Sequence, residues 1–235
     1  MKNFSFLVLC FIGFSVGLIH SCKKDAGTSI FQGTPPDSII TASFIEEFKD
    51  VMALTTTTGW IKKNNSDNGS DYSYTAWGQG PAGIDKSGNP YGFAAYSYSS
   101  NRDEYAFSGY SYTTISSWLI TPVLSVKNGD KISFYTRDDA NGAYPMDRMQ
   151  VLMNKSASTD IGSTPNSVGG FTITLFDINP TQAADSYPEH WTKYEYIFSG
   201  ISGQVRTRIA FRHYVIDPTA SVKGIGIDQF KFLIK

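Results

Sequence analysis

Apolar side chains recur at every second position in one short run after another. Ile132, Phe134 and Thr136 share one side of a run that follows the turn Lys127-Asn128-Gly129-Asp130, and Met149, Val151 and Met153 do the same after Tyr144-Pro145. Phe171, Ile173 and Leu175 alternate with Thr172 and Thr174; Tyr194, Tyr196 and Phe198 alternate with Lys193 and Glu195; Ile209, Phe211, His213 and Val215 make a further row. A strand sends successive side chains to opposite faces. Period two therefore means strands with one buried face, and polar turns between them mean antiparallel neighbours. About ten to twelve such runs can be read, and the helical pieces expected are brief turns, for instance near Gln182–Asp185. So many strands in one unit predict an all-β, antiparallel two-sheet sandwich of jelly-roll type.

Composition agrees where it is informative. Tyr, Phe, Gly, Ser and Thr are abundant, which suits short strands and tight turns rather than helices. The net charge is −1, and no Lys/Arg cluster is long enough to track phosphates, so a nucleic-acid partner is not expected. No repeat and no internal linker interrupts 40–235, and one domain over 37–235 is the simplest reading.

The N-terminus reads as an address. Met1-Lys2-Asn3 is a short basic start, and Phe4 to Leu18 is almost wholly apolar. At about 15 residues this is short of the ~20 that span a bilayer, and it fits the core of a signal peptide over 1–21. Leu18-Ile19-His20-Ser21-Cys22 resembles the lipobox of bacterial lipoproteins. That resemblance implies a lipid on Cys22, which becomes the first mature residue. Cys10 is lost with the signal peptide, so the mature chain has no internal disulfide and relies on its core. Lys23-Lys24-Asp25 resembles the surface-export signals of lipoproteins in the Bacteroidota, and Gly, Ser, Thr and Pro make 22–36 a tether. The expected location is the bacterial outer membrane, lipid-anchored, on the cell surface or alternatively on the periplasmic face.

Several motifs follow one another along the chain. They are Trp118-Leu119-Ile120-Thr121-Pro122, Tyr135-Thr136-Arg137-Asp138, Tyr144-Pro145 and Asp147-Arg148-Met149-Gln150-Val151. Leu175-Phe176-Asp177-Ile178-Asn179-Pro180, Tyr187-Pro188 with Trp191-Thr192, Ile209-Ala210-Phe211-Arg212-His213-Tyr214 and Ile225-Gly226-Ile227-Asp228 follow. With Glu46-Glu47-Phe48 and Gly59-Trp60 upstream, the stretch 43–235 resembles the choice-of-anchor J domain, a relative of the cleaved-adhesin jelly rolls. The resemblance implies architecture and a surface address. It carries over no catalytic residue. The chain departs from the pattern at Met146, an insertion, and at His213, where an aromatic residue is frequent.

The chemistry-bearing residues divide as follows. His213 lies on the apolar side of its strand and reads as a satisfied core histidine; no G-x-S-x-G elbow accompanies it. Arg137-Asp138 and Asp147-Arg148 read as ion pairs at strand ends. Glu46 follows Phe44 at strand spacing, and Asp228 precedes Phe230 and Phe232 in the same way, so both carboxylates are expected to point inward on the first and last strands. A structural calcium ion would reconcile them, as in related adhesin-type jelly rolls, and so would a salt bridge to Arg208 or Arg212. Residues 72–112 are densely aromatic. Most of these rings are expected to fill the sandwich, while Trp77 and Tyr91, beside Gly and Pro, are the candidates for an exposed sugar-stacking platform. Asp37-Ser38-Ile39 resembles an O-glycosylation acceptor, with Ser38 as the modified residue.

The functional expectation is a surface-displayed, non-catalytic module that binds extracellular glycan or protein. The alternatives are a structural or adhesive surface component and a secreted glycosidase.

Overall fold

The computed structural model describes residues 38–67, 77–79, 83–84, 90–91, 106–108, 114–138, 146–216 and 224–235. The signal peptide, Cys22, the tether and the tyrosines of 72–74, 96–105 and 110–112 lie outside them. The first elements are β1 (Ile39–Ile40), β2 (Phe44–Glu46), α1 (Val51–Thr57), β3 (Ile61–Asn64), β4 (Trp77–Gln79), β5 (Gly83–Ile84), β6 (Pro90–Tyr91) and β7 (Ala106–Ser108). Then come β8 (Ile115–Ile120), β9 (Val123–Val126), β10 (Lys131–Asp138), β11 (Met149–Asn154), β12 (Ile173–Ile178), β13 (Thr192–Ile197), β14 (Val205–Val215) and β15 (Ile225–Leu233).

The strands form two main sheets. A seven-stranded sheet runs β1-β9-β14-β11-β12, with β8 also on β14 and β3 on β8. A six-stranded sheet runs β13-β10-β15-β7-β4, with β2 also on β15, and β5 and β6 make a separate ribbon. In chain order, β7, β8, β10, β11, β12, β13, β14 and β15 are divided between the sheets so that one reads sixth, third, eighth, first. The other reads second, seventh, fourth, fifth. That interleaving is the jelly roll, as the alternation predicts.

The inward rows fill the space between the sheets. Phe134, Ile132, Phe211, Ile209, Phe230, Phe232, Ile227 and Val151 are all buried in one cluster. Phe134 and Phe211 meet edge to face across the sandwich at 5.0 Å, and Phe211 meets Phe230 at 5.8 Å. At Thr121-Pro122, between β8 and β9, proline cannot donate to a ladder. The Thr121 hydroxyl takes over there, accepting the Ile209 N–H at 3.0 Å while the Thr121 N–H donates to the Ile209 carbonyl at 2.8 Å.

Two departures from the sequence reading matter. The first concerns the helix. It lies at Val51–Thr57, where Asp50 accepts the Ala53 N–H at 2.8 Å as its N-cap, and Val51 and Leu54 are buried. The stretch Gln182–Asp185 makes a brief turn at its end, without helix, and Gln182 and Asp185 are both at positive φ. The second is that the seven-stranded sheet is buried on both faces, not one. Residues 155–172 cross its outer side, where Ile161, Val168 and Phe171 pack on Trp118, Ile120, Leu152 and Ala210.

This roof is clipped through its own carbonyls. Arg208 donates to the Ala157 carbonyl at 3.0 Å and to the Thr121 carbonyl at 2.7 Å, and Asn65 donates to the Gly162 carbonyl at 2.9 Å. Arg212 donates to the Pro165 carbonyl and to Gln150 Oε1. Its guanidinium lies over Trp118 at 4.8 Å and Tyr214 at 3.6 Å. Burial pushes its pKa down to about 10, still far above neutrality, so the stacked group stays cationic.

Candidate functional site

Inside the sandwich, Asp138, Ile225, Ser108 and Trp77 fall in one cross-strand row of the six-stranded sheet. Ile225 is in the core, so the row faces inward. From the other sheet His213 comes down to meet it. His213 Nδ1 lies 3.0 Å from Ser108 Oγ, and Nε2 lies 2.9 Å from Asp147 Oδ1, just before β11. The same Asp147 oxygen accepts the Gly224 N–H at 3.1 Å. Nearby, the Tyr187 hydroxyl lies 2.7 Å from Thr136 Oγ1, which donates to the Gly226 carbonyl. Burial holds the Tyr187 hydroxyl well above the ordinary phenol range, so it stays protonated.

Ser108, His213 and Asp147 carry the groups of a nucleophilic triad. All three side chains are nevertheless buried completely. A substrate carbonyl must reach the nucleophile, and Ser108 offers no surface to it. The trio instead ties β7 of one sheet to β14 and the start of β11 in the other. The inward histidine agrees with the alternation. The expected pairing of Asp147 with Arg148 does not form: Arg148 instead makes a two-pronged pair with Asp177 at 2.8 and 2.6 Å.

The sequence-predicted ligand residues are placed as follows. Trp77 is 1% exposed, and its indole N–H donates to the Ser117 carbonyl of the opposite sheet at 3.1 Å. It is therefore a core residue and not a stacking platform, because its row faces inward. The backbone of Tyr91 pairs with Gly83, while its side chain lies outside the described residues. Ser38 is half-buried, immediately before β1.

Glu46 and Asp228 do lie on paired strands, but on opposite faces of the sheet. Glu46 stands opposite Phe230, on the core side, and accepts the Phe48 N–H at 2.8 Å. Burial raises its carboxyl above the ordinary range. Asp228 stands opposite Tyr135, on the outer side. A bulge separates the two: Ser133 pairs with Lys231 and Tyr135 with Asp228, so Phe134 faces both Gln229 and Phe230. Gln229 takes φ +49° to make it. The shared inward site is therefore not formed by these two residues. Among the described residues, no group of three or more His, Cys, Asp or Glu is placed to hold a metal ion.

The same register defines a surface that sequence reasoning missed. On the outer side of the six-stranded sheet, Ile197, Lys131 and Leu233 form one cross-strand row; Glu195, Ser133, Lys231 and Ile45 form the next; Lys193, Tyr135 and Asp228 form the third. Lys193, Glu195 and Ile197 are exposed, and Lys131, Tyr135, Lys231, Leu233 and Ile45 are partly so. Lys131 and Lys193 both reach the Glu195 carboxylate, each at 3.1 Å, and hold it below the usual carboxylate range. Ser133, small and central in these rows, is buried beneath the longer side chains around it. Beyond the third row the surface closes, with Arg137 buried against Trp191 at 5.9 Å.

No family model matches the chain, and no curated protein matches it. Among solved structures it is similar to the K1 cleaved adhesin domain of Lys-gingipain from Porphyromonas gingivalis W83. The identity is 19%, over 83% of this chain and 99% of that one, with a TM-score of 0.49. It is also similar to TmCBM27, a carbohydrate-binding module described for specific mannan recognition, at 6% identity over 81% and 95% with a TM-score of 0.40. A family 35 carbohydrate-binding module from Clostridium thermocellum matches at 12% identity over 82% and 98%, TM-score 0.35. The jelly roll itself rests on the strand order.

Proposed function

We propose that this chain is a lipid-anchored, non-catalytic binding module of the bacterial surface, taking extracellular glycan or protein on the outer side of its six-stranded sheet. One observation carries the reading: the two outer sides of the sandwich differ. The seven-stranded sheet is roofed by 155–172, whereas β13, β10 and the C-terminal part of β15 present Lys, Tyr and aliphatic side chains that are exposed or partly so. Such a mixed surface suits recognition. The resemblance to the choice-of-anchor J domain supports a displayed module, and the lipobox supplies its anchor. A Trp in place of Ser133, rising from the centre of the surface, should abolish binding and leave the melting temperature within a few degrees of wild type.

The anchor has its own test. Cys22→Ser removes the only thiol of the mature chain in this reading, and the protein should appear unprocessed or in the soluble fraction. Membrane fractionation equal to wild type, with cleavage still before residue 22, would reject the lipid.

A further inference from the structure

Building on the binding-module reading, we propose that the open surface selects a polyanionic glycan, one bearing uronate carboxylates or sulfates. The charge count on the outer side of the sheet is unequal. Among the described residues, Lys131, Lys193 and Lys231 stand on its open part against Glu195, an excess of two positive charges on a chain whose net charge is −1, while Arg137 and Asp228 are buried. The imbalance is concentrated where the surface is open. Glu195 is shared between Lys131 and Lys193, one carboxylate for two ammonium groups. Lys231 stands in the same row across Ser133, two strand spacings or about 10 Å from Glu195. It makes no ion pair among the described residues. Lys131 and Lys193 converge on one carboxylate, and Lys231 stands two strands across, so successive charges of an extended polyanion lying across the strands can meet them in turn.

The apolar residues fit the other half of a sugar. Ile197 is 59% exposed, Leu233 and Ile45 are partly exposed at the ends of the lysine rows, and Tyr135 borders Lys193. These can cover the C–H faces of pyranose rings while lysines take the acidic substituents. A polymer with one anion per residue repeats both features along its length, which a neutral glycan does not.

The test is affinity electrophoresis of the full chain, carried with its lipid in detergent, through gels containing polygalacturonate, dextran sulfate or neutral mannan. Retardation by polygalacturonate, dextran sulfate or both is expected, weakening as salt rises. Retention in the polygalacturonate gel alone assigns the ligand to carboxylates, and retention in the dextran sulfate gel alone assigns it to sulfates. Lys193→Ala combined with Lys231→Ala should weaken retention about tenfold. Glu195→Gln, which releases two lysines from their internal partner, should strengthen it several-fold. All three positions are exposed or partly so, and unchanged melting curves would separate lost binding from lost folding. Retention by mannan alone, or lysine variants that migrate as wild type, would overturn the inference while leaving a binding module in place. A chain that binds none of these polysaccharides and no surface protein would remove both.

Discussion

Phe134→Ala is expected to destabilise the domain by about 3–5 kcal/mol, the cost of emptying a large aromatic from a packed core. Phe134 is fully buried at the centre of the sandwich. Its ring stacks on Tyr194 at 5.6 Å, meets Phe176 at 5.7 Å and meets Phe211 of the other sheet at 5.0 Å. The neighbours come from β13, β12 and β14, so no single element can move to fill the hole. The cost should appear as a fall in melting temperature of roughly 10 °C. Phe134→Leu keeps much of the volume and should lose about half as much. A Phe134→Ala protein that melts within a degree or two of wild type would contradict the packing described for the core.

Asp147→Ala is expected to cost about 2–5 kcal/mol, for a different reason. It strands two buried donors or partners at once, His213 Nε2 and the Gly224 N–H, and an unsatisfied buried polar group loses about 1–3 kcal/mol. Asp147→Asn keeps an acceptor oxygen and should be milder. Replacing both Asp147 and His213 by apolar residues removes the stranded partner, so the double variant should be more stable than the sum of the two single changes. Strict additivity, measured by denaturant titration of all four proteins, would mean that the two side chains do not act as a pair.

Much of the fold was legible because period two survives wherever a strand is regular. The rows Ile132-Phe134-Thr136 and Ile209-Phe211-His213-Val215 face inward as their spacing predicts. The pattern fails where a local irregularity has no sequence mark. At Gln229 the backbone is left-handed, and a glycine there would signal the bulge; glutamine does not, so period two alone places Asp228 on the wrong face. Trp77, near glycines, reads as an exposed stacking candidate, yet it stands in an inward row and its indole reaches across to Ser117.

The roof was hidden for another reason. Arg212 and Ser116 occupy alternate positions that ordinarily mean solvent, but here Arg212 is sandwiched between Trp118 and Tyr214 and donates to Ser116 Oγ at 3.1 Å. The helix at Val51–Thr57 ends in a run of threonines, poor helix formers whose hydroxyls bond back to preceding carbonyls, and nothing in that composition announces it. The open lysine surface could not be read at all from spacing. Lys131, Lys193 and Lys231 are distant in sequence and become neighbours only through the order β13-β10-β15.

The central claim is that the outer side of the six-stranded sheet is where this chain binds. A glycan array probed with the full chain, beside Ser133→Trp and beside an equally bulky change on the roof such as Ser163→Trp, tests it most directly. The account predicts glycan signals for wild type and for the roof variant, and their loss for Ser133→Trp with folding intact. Equal signals from all three proteins, or loss confined to the roof variant, would place the binding surface elsewhere.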